Sequence, residues 1–364
     1  MKMRKILSIL LASILVLSFA GCNSKEEKVN SDNKDSGKKP ASSQGTEDTS
    51  GNDSGNETVS TETTGKEPPV YDESKDNVPE KDKKIVICWG DSITQGMGMN
   101  IGDSYPEVLQ KYLGYEYKVI NAGVPGENSS TISARANVLE TCLRNDVTFK
   151  KGEAQVKLDR ELFIGKNGED IVLKGFGNKL PIDNVIIGGK AYTIEFEQGT
   201  EKETHFYKLT RKDTSSALTL KKGTTVKFDY SKYYSGDIYC NVMLVGANDM
   251  PPKADEIIAK YKKIATTAQK NIFLIPFYSQ DNAPEFVDAF GNKALNLRVY
   301  FQTQALEDFN EELTKGGQIC IDKNYIPNNF TYKNARYDCH LNEIGYKAMA
   351  YRIYQKGIEL KYWK

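Results

Sequence analysis

The sequence predicts an α/β protein: a parallel sheet with helices between its strands, interrupted in the middle by a smaller antiparallel β subdomain. Three observations carry this. Ile85-Val86-Ile87-Cys88-Trp89 is a continuous, β-branched apolar run that stops at Gly90, the pattern of a strand buried on both faces. Strand-like and helix-like segments alternate before and after the middle third of the chain. Within that third, short stretches alternate apolar and polar residues between glycine turns, which is the antiparallel pattern.

The chain opens on a different kind of segment. Met1 to Cys22 has a basic start (Lys2, Arg4, Lys5), an apolar stretch from Ile6 to Phe19, and then Ala20-Gly21-Cys22. This is expected to be a secretion signal rather than a spanning helix, because the apolar stretch is short for a bilayer and ends in small residues. Its end is similar to a bacterial lipobox, which implies a diacylated Cys22 as the mature N-terminus. Phe19 stands where that motif usually has Leu, and the alternative is an ordinary signal cut near Gly21. Residues 23–82 are Ser, Thr, Gly, Asn, Asp, Glu and Lys with almost no apolar side chains. Such a tract cannot bury enough surface to offset its ordering entropy, so it is expected to be a disordered tether.

The parallel pattern is expected over 83–147 and again over 237–364. After the first strand, Ser104 to Tyr112 reads as a helix, Tyr117 to Ile120 as a strand, Asn121 to Gly126 as a glycine-bearing loop, and Thr131 to Leu143 as a helix. From 148 to 236, stretches such as Gln155–Leu158, Asp170–Leu173, Tyr192–Phe196, Ala217–Leu220 and Thr225–Phe228 predict an inserted small sandwich or barrel. The parallel pattern resumes at Ile238–Val245, followed by a helix over Ala254–Gln269 and a strand over Ile272–Phe277. A helix over Gln302–Leu313, a short strand over Gln318–Ile321 and a closing helix over Glu343–Leu360 complete the chain.

The first apolar run breaks into Gly90-Asp91-Ser92, which delivers Ser92 to the carboxyl edge of the sheet, where open α/β folds place their sites. A lone serine there is more simply a turn or cap residue. Three further blocks follow in order: Asn121-Ala122-Gly123, Gly246-Ala247-Asn248-Asp249 and Asp338-Cys339-His340-Leu341-Asn342. Taken together, the four blocks resemble the SGNH (GDSL) hydrolase family, with Ser92, Gly123, Asn248 and His340 as the matching residues. The resemblance runs from about Lys84 to the C-terminus, apart from the insert. It implies a three-layer α/β/α, flavodoxin-like domain and a serine esterase.

An acyl-enzyme mechanism needs a nucleophile, a base, oxyanion donors and a group that orients the base. The resemblance assigns Ser92 as nucleophile and His340 as base, with the Ser92 and Gly123 amides and the Asn248 side chain as oxyanion donors. Gly123 is alternatively needed for its backbone, and Asn248 is alternatively a loop residue. Asp91 and Asp249 read as loop-bracing carboxylates. The family usually places its acid three residues before the histidine, where this chain has Tyr337. Either Asp338, two residues before, orients His340, which is the favoured reading, or a backbone carbonyl does.

Other chemistries are disfavoured. The chain has 49 basic and 49 acidic residues with no basic block in the folded part, which argues against a nucleic-acid partner. Two histidines, His205 in the insert and His340, cannot build a His-rich zinc site, so no metal or cofactor is expected. Gly96-Met97-Gly98 lacks the lysine and spacing of a phosphate loop. Cys88, Cys142, Cys240, Cys320 and Cys339 remain besides Cys22, an odd number without framework spacing.

The expected function is a lipid-anchored serine esterase on the outer face of a bacterial cell membrane, removing short acyl groups, acetyl above all, from polysaccharide. Two other readings stand beside it. One is a lipase or lysophospholipase of the same family; the other is an inactive surface lipoprotein whose β insert binds glycan through some of Tyr192, Tyr207, Tyr230, Tyr233 and Tyr234.

Overall fold

A computed structural model describes residues 68, 71, 74, 76–99, 102–159, 161–173, 184–197, 206–277 and 282–364. The secretion signal, Cys22, most of the tether and His205 lie outside the described residues.

The chain builds strand β1 (Lys84–Gly90), a single helical turn α1 (Ser92–Gln95), helix α2 (Tyr105–Leu113), strand β2 (Tyr117–Gly123) and helix α3 (Ser129–Arg135). Ten short strands follow: β3 (Thr141–Leu143), β4 (Val147–Phe149), β5 (Gln155–Asp159), β6 (Phe163–Gly165), β7 (Asp170–Ile171), β8 (Asn184–Ile187), β9 (Lys190–Glu197), β10 (Phe206–Thr210), β11 (Leu218–Leu220) and β12 (Thr225–Phe228). The parallel part resumes with β13 (Ile238–Leu244), α4 (Ala254–Ala265), β14 (Ala268–Leu274), α5 (Ala283–Phe290) and β15 (Ala294–Leu295). Helices α6 (Leu297–Thr303), α7 (Ala305–Asp308), α8 (Lys315–Asp322) and α9 (Glu343–Glu359) end it.

Two sheets dominate. A five-stranded sheet has the order β15-β14-β13-β1-β2, and every pairing in it is parallel. Counted along the chain this is 2-1-3-4-5, a doubly wound order whose ligand crevice lies at the carboxyl ends of the first and third strands, here β1 and β13. The second sheet is antiparallel, eight strands in the order β5-β10-β9-β8-β12-β3-β6-β7, accompanied by a two-stranded β11-β4 ribbon.

Both faces of β1 are buried, and its side chains alternate between two cores. Ile85, Ile87 and Trp89 point into a core with Ile132 of α3 and Ile257, Tyr261 and Ile264 of α4. Val86 and Cys88 point into another core with Val108, Leu109 and Tyr112 of α2 and Tyr346, Met349 and Ile353 of α9. Helices therefore cover both faces of the parallel sheet. The first of these cores continues without a break into Phe149, Phe163, Val185, Tyr207, Val226 and Phe228 of the antiparallel strands. Burying each such side chain contributes about 1.5–3 kcal/mol, so the insert and the parallel sheet stabilise one another.

Four segments differ from the sequence reading. The expected helix over Thr131–Leu143 stops at Arg135, and Thr141–Leu143 joins the antiparallel sheet, so that sheet begins before 148. The break is at Asn137, which adopts φ +57°, donates to the Phe228 carbonyl at 2.9 Å and accepts from Phe228 N at 2.9 Å. The expected strand over Gln318–Ile321 is part of α8, started by Thr314, whose hydroxyl accepts from Gly317 N. The expected helix over Gln302–Leu313 is replaced by α6 and α7. Helix α4 ends at Ala265 rather than near Gln269, since Asn241 and Asn271 donate to the carbonyls of Ile264 and Ala265 and β14 starts at Ala268.

Candidate active site

Three neighbouring loops leave the same edge of the parallel sheet. Gly90, at the end of β1, stands in register with Gly123, at the end of β2, and β13 ends at Leu244 just before the Asn248 loop. Asp91 caps the α1 turn, its carboxylate accepting from Ile93 N at 3.0 Å. That cap turns the chain sharply after the strand and leaves Ser92 as the first residue of a helical turn. Its N–H belongs to the set that a helix leaves without an internal acceptor.

His340 arrives from the far end of the sequence. The segment before α9 folds back on itself through a Thr331–Leu341 bridge and a Tyr332 N to His340 O hydrogen bond of 2.8 Å. Within it Lys333, Asn334 and Tyr337 have φ values of 54°, 53° and 64°, a left-handed conformation that costs non-glycine residues of order 1 kcal/mol or more each. The left-handed residue at Tyr337 directly precedes Asp338. Asp338 Oδ1 then accepts from His340 N at 3.0 Å and lies 3.1 Å from His340 Nδ1. An acid two residues before the histidine thus reaches the ring by bonding the backbone amide and the ring nitrogen together.

On the other side of the ring, His340 Nε2 lies 3.0 Å from Ser92 Oγ. With the ring proton on Nδ1, held by Asp338, Nε2 is the acceptor for the serine hydroxyl. The ring is partly enclosed, its side chain 21% exposed. Burial pulls the imidazole pKa down, but Asp338 and the neighbouring Cys339 outweigh it and hold the group up to about 10. Burial raises the Asp338 carboxyl, and the hydrogen bonds from His340 overcome this to hold it below its ordinary value. Cys339 is buried, with Sγ 3.9 Å from His340 Nδ1. Asp338, Cys339 and His340 could together offer ligand atoms to a metal ion, but Asp338 and the Nδ1 atom are engaged with each other.

The expected oxyanion donors are arranged less simply. Ser92, Gly123 and Asn248 converge on one edge, yet the Gly123 N–H donates to Asn121 Oδ1 at 3.0 Å. The Asn248 amide donates to Asp91 Oδ2 at 3.3 Å and to the Glu127 carbonyl at 3.1 Å. Of the three, the Ser92 amide is the one left for an oxyanion, and Asn248 would have to give up one of its two acceptors to donate to one. Gly123 has a separate reason to be glycine: a Cβ there would lie 2.2 Å from Gln95 N and 2.8 Å from the Asp91 carbonyl oxygen. The Ser92 turn packs directly on it.

Asp91 and Asp249 brace loops. Asp249 accepts from Ser129 N at 2.9 Å and Ser129 Oγ at 2.6 Å, tying the Asn248 loop to the start of α3. Asp91 is fully buried, and burial raises its carboxyl to about 6 despite the Ile93 amide. Two residues that the motifs do not single out lie behind these loops: Glu127 and Arg135 form a buried ion pair at 2.6 Å. Every residue of α3 is buried, although its sequence is Ser-Ser-Thr-Ile-Ser-Ala-Arg. No apolar periodicity marks such a helix, so the pair leaves no signal in the sequence beyond its opposite charges.

No protein-family model matches this chain, and no curated protein matches it. A solved structure described as "Peptidoglycan O-acetylesterase in action, 5 min" aligns over 77% of this chain and 92% of its own, with 11% identity and a TM-score of 0.29. A likeness at that level carries no argument about this chain.

Proposed function

We propose that this protein is a serine carboxylic-ester hydrolase of the SGNH type, held by a lipidated Cys22 at the outer face of the cell membrane, that removes short acyl groups, chiefly acetyl, from polysaccharide. The observation that carries the reaction is the hydrogen-bonded chain from Ser92 through His340 to Asp338 at the carboxyl edge of a doubly wound parallel sheet. In the first step Ser92 Oγ attacks the ester carbonyl as its proton passes to His340 Nε2. The leaving alcohol then takes that proton, and water repeats the sequence on the acyl-enzyme. Asp338 keeps the ring oriented and stabilises the imidazolium. The substrate class rests on the lipobox-like start and the β insert, both read from the sequence.

Acetate release from p-nitrophenyl acetate and from acetylated glycans, by the chain from Asn23 onward, tests the reaction. Loss of turnover in both Ser92→Ala and His340→Ala is the expected result; equal rates in all three proteins would reject it. A binding protein would show no turnover and retain glycan affinity in Ser92→Ala. One observation favours a second reading, a lipase: Met97 and Met250, on the loops following Ser92 and Asn248, are 48% and 77% exposed, apolar surface on two site loops. A preference for octanoyl over acetyl esters would select it.

A further inference from the structure

We propose that Arg135 is a positioning residue that fixes the nucleophile loop against the two loops beside it; the inference rests on the serine-hydrolase reading of the site. Arg135 is the last residue of α3 and is wholly inaccessible to solvent. Its Nη2 donates to the Ala122 carbonyl at 2.8 Å and to the Gly90 carbonyl at 3.5 Å. Its Nε pairs with Glu127 Oε2 at 2.6 Å. Gly90 immediately precedes Asp91 and Ser92; Ala122 immediately precedes Gly123; the Glu127 carbonyl receives the Asn248 amide. A single guanidinium therefore gathers all three loops from behind.

The chemistry of the side chain suits this task. Buried carbonyls at strand ends need donors, and a planar guanidinium offers several in a fixed fork, which an ammonium cannot. A buried ion pair is poor evidence of added stability, because apolar replacement of both partners is often neutral or stabilising. What the fork supplies is a fixed distance between chain segments, and misplacing a reacting group by about 1 Å costs roughly 100-fold in rate. The insert packs against the same guanidinium: Tyr230, just after β12, lies beside it and edge-on to Trp89 at 6.1 Å, while the Trp89 ring lies 5.7 Å from the guanidinium carbon.

The test separates geometry from folding by using two variants. Glu127→Met with Arg135→Met removes both charges while keeping volume, and Arg135→Lys keeps the charge but not the fork. For each, the thermal midpoint is measured together with kcat and KM for Ser92-dependent acetate release. The expected result is a midpoint within a few degrees of the unmutated protein in at least one variant, with kcat reduced about 10- to 100-fold and KM nearly unchanged. A variant of unmutated stability and unmutated kcat would overturn the proposal, as would a kcat loss in both that only tracks loss of folded protein. Absence of Ser92-dependent turnover in the unmutated protein is a separate outcome, and it would remove the parent reading along with this one.

Discussion

Replacing Asp338 by asparagine should cost far less activity at neutral pH than at alkaline pH. The asparagine keeps an oxygen to accept from His340 N, which Asp338 now does at 3.0 Å, so the loop retains its shape. What disappears is the charged hydrogen-bond partner 3.1 Å from Nδ1 that, together with Cys339, holds His340 up to about 10. With that value only about one ring in a thousand is neutral at pH 7, whereas even a ring returned all the way to its ordinary value of about 6.5 would be only roughly three-quarters neutral. Losing the acid of such a triad lowers the rate of the competent form by about 10,000-fold. The two effects oppose each other at pH 7, leaving a net loss of at least roughly 10-fold, and cease to oppose near pH 10, where the loss approaches several thousand-fold. The assay is kcat/KM between pH 6 and 10 on an ester stable to hydroxide, with spontaneous hydrolysis subtracted. A penalty that stays constant with pH, or an unmutated profile already flat at pH 7, would refute the reasoning.

Other substitutions follow from the same geometry. Gly123→Ala places a Cβ 2.2 Å from Gln95 N; the Ser92 turn must move, so turnover should fall at least about 100-fold, and an alanine variant of normal kcat would contradict the packing. Asp249→Ala strips two hydrogen bonds from Ser129 and should lower unfolding free energy by about 1–2 kcal/mol in urea titrations. Asp91 binds its proton more tightly folded than unfolded, its carboxyl being raised to about 6 by burial. Its contribution to stability is therefore present below the ordinary carboxylate value and is lost as pH rises toward about 6. Asp91→Asn should flatten that part of the stability curve, and an unchanged difference in urea midpoint between pH 4 and pH 7 would count against it.

The parallel half of the fold is legible in the sequence because its strands are apolar on both faces and punctuated by Gly90, Gly123 and Gly246. Ser92 and His340 are legible because short motifs carry them. Asp338 stands in the sequence as the favoured of two alternatives, the other being a backbone carbonyl, since an acid at that spacing follows a left-handed Tyr337 that no propensity of tyrosine announces. The end of α3 is hidden because Thr141–Leu143 is strand by virtue of partners far along the chain, Gly165 and Thr225 among them. Gln318–Ile321 misleads because a short apolar run fits strand and helix equally. At Gly123 the motif points to the amide, while the packing displays the missing Cβ as the reason for glycine. Arg135 escapes notice because, in sequence, a buried arginine among serines looks like any exposed one.

The continuity of the core across the two sheets has a mechanical meaning. An accessory module on a flexible hinge lets a catalytic unit sweep a volume around its anchor. Here Phe163 and Phe228 of the insert belong to the same continuous core as Ile87 and Trp89 beneath the nucleophile, so the described part of the insert is held against the parallel sheet. Any polymer gripped by the insert would present its repeating units to Ser92 at a constant offset, as on a ruler. Which units along that polymer lose their acyl groups would then be set by the spacing of the grip rather than by chance encounter.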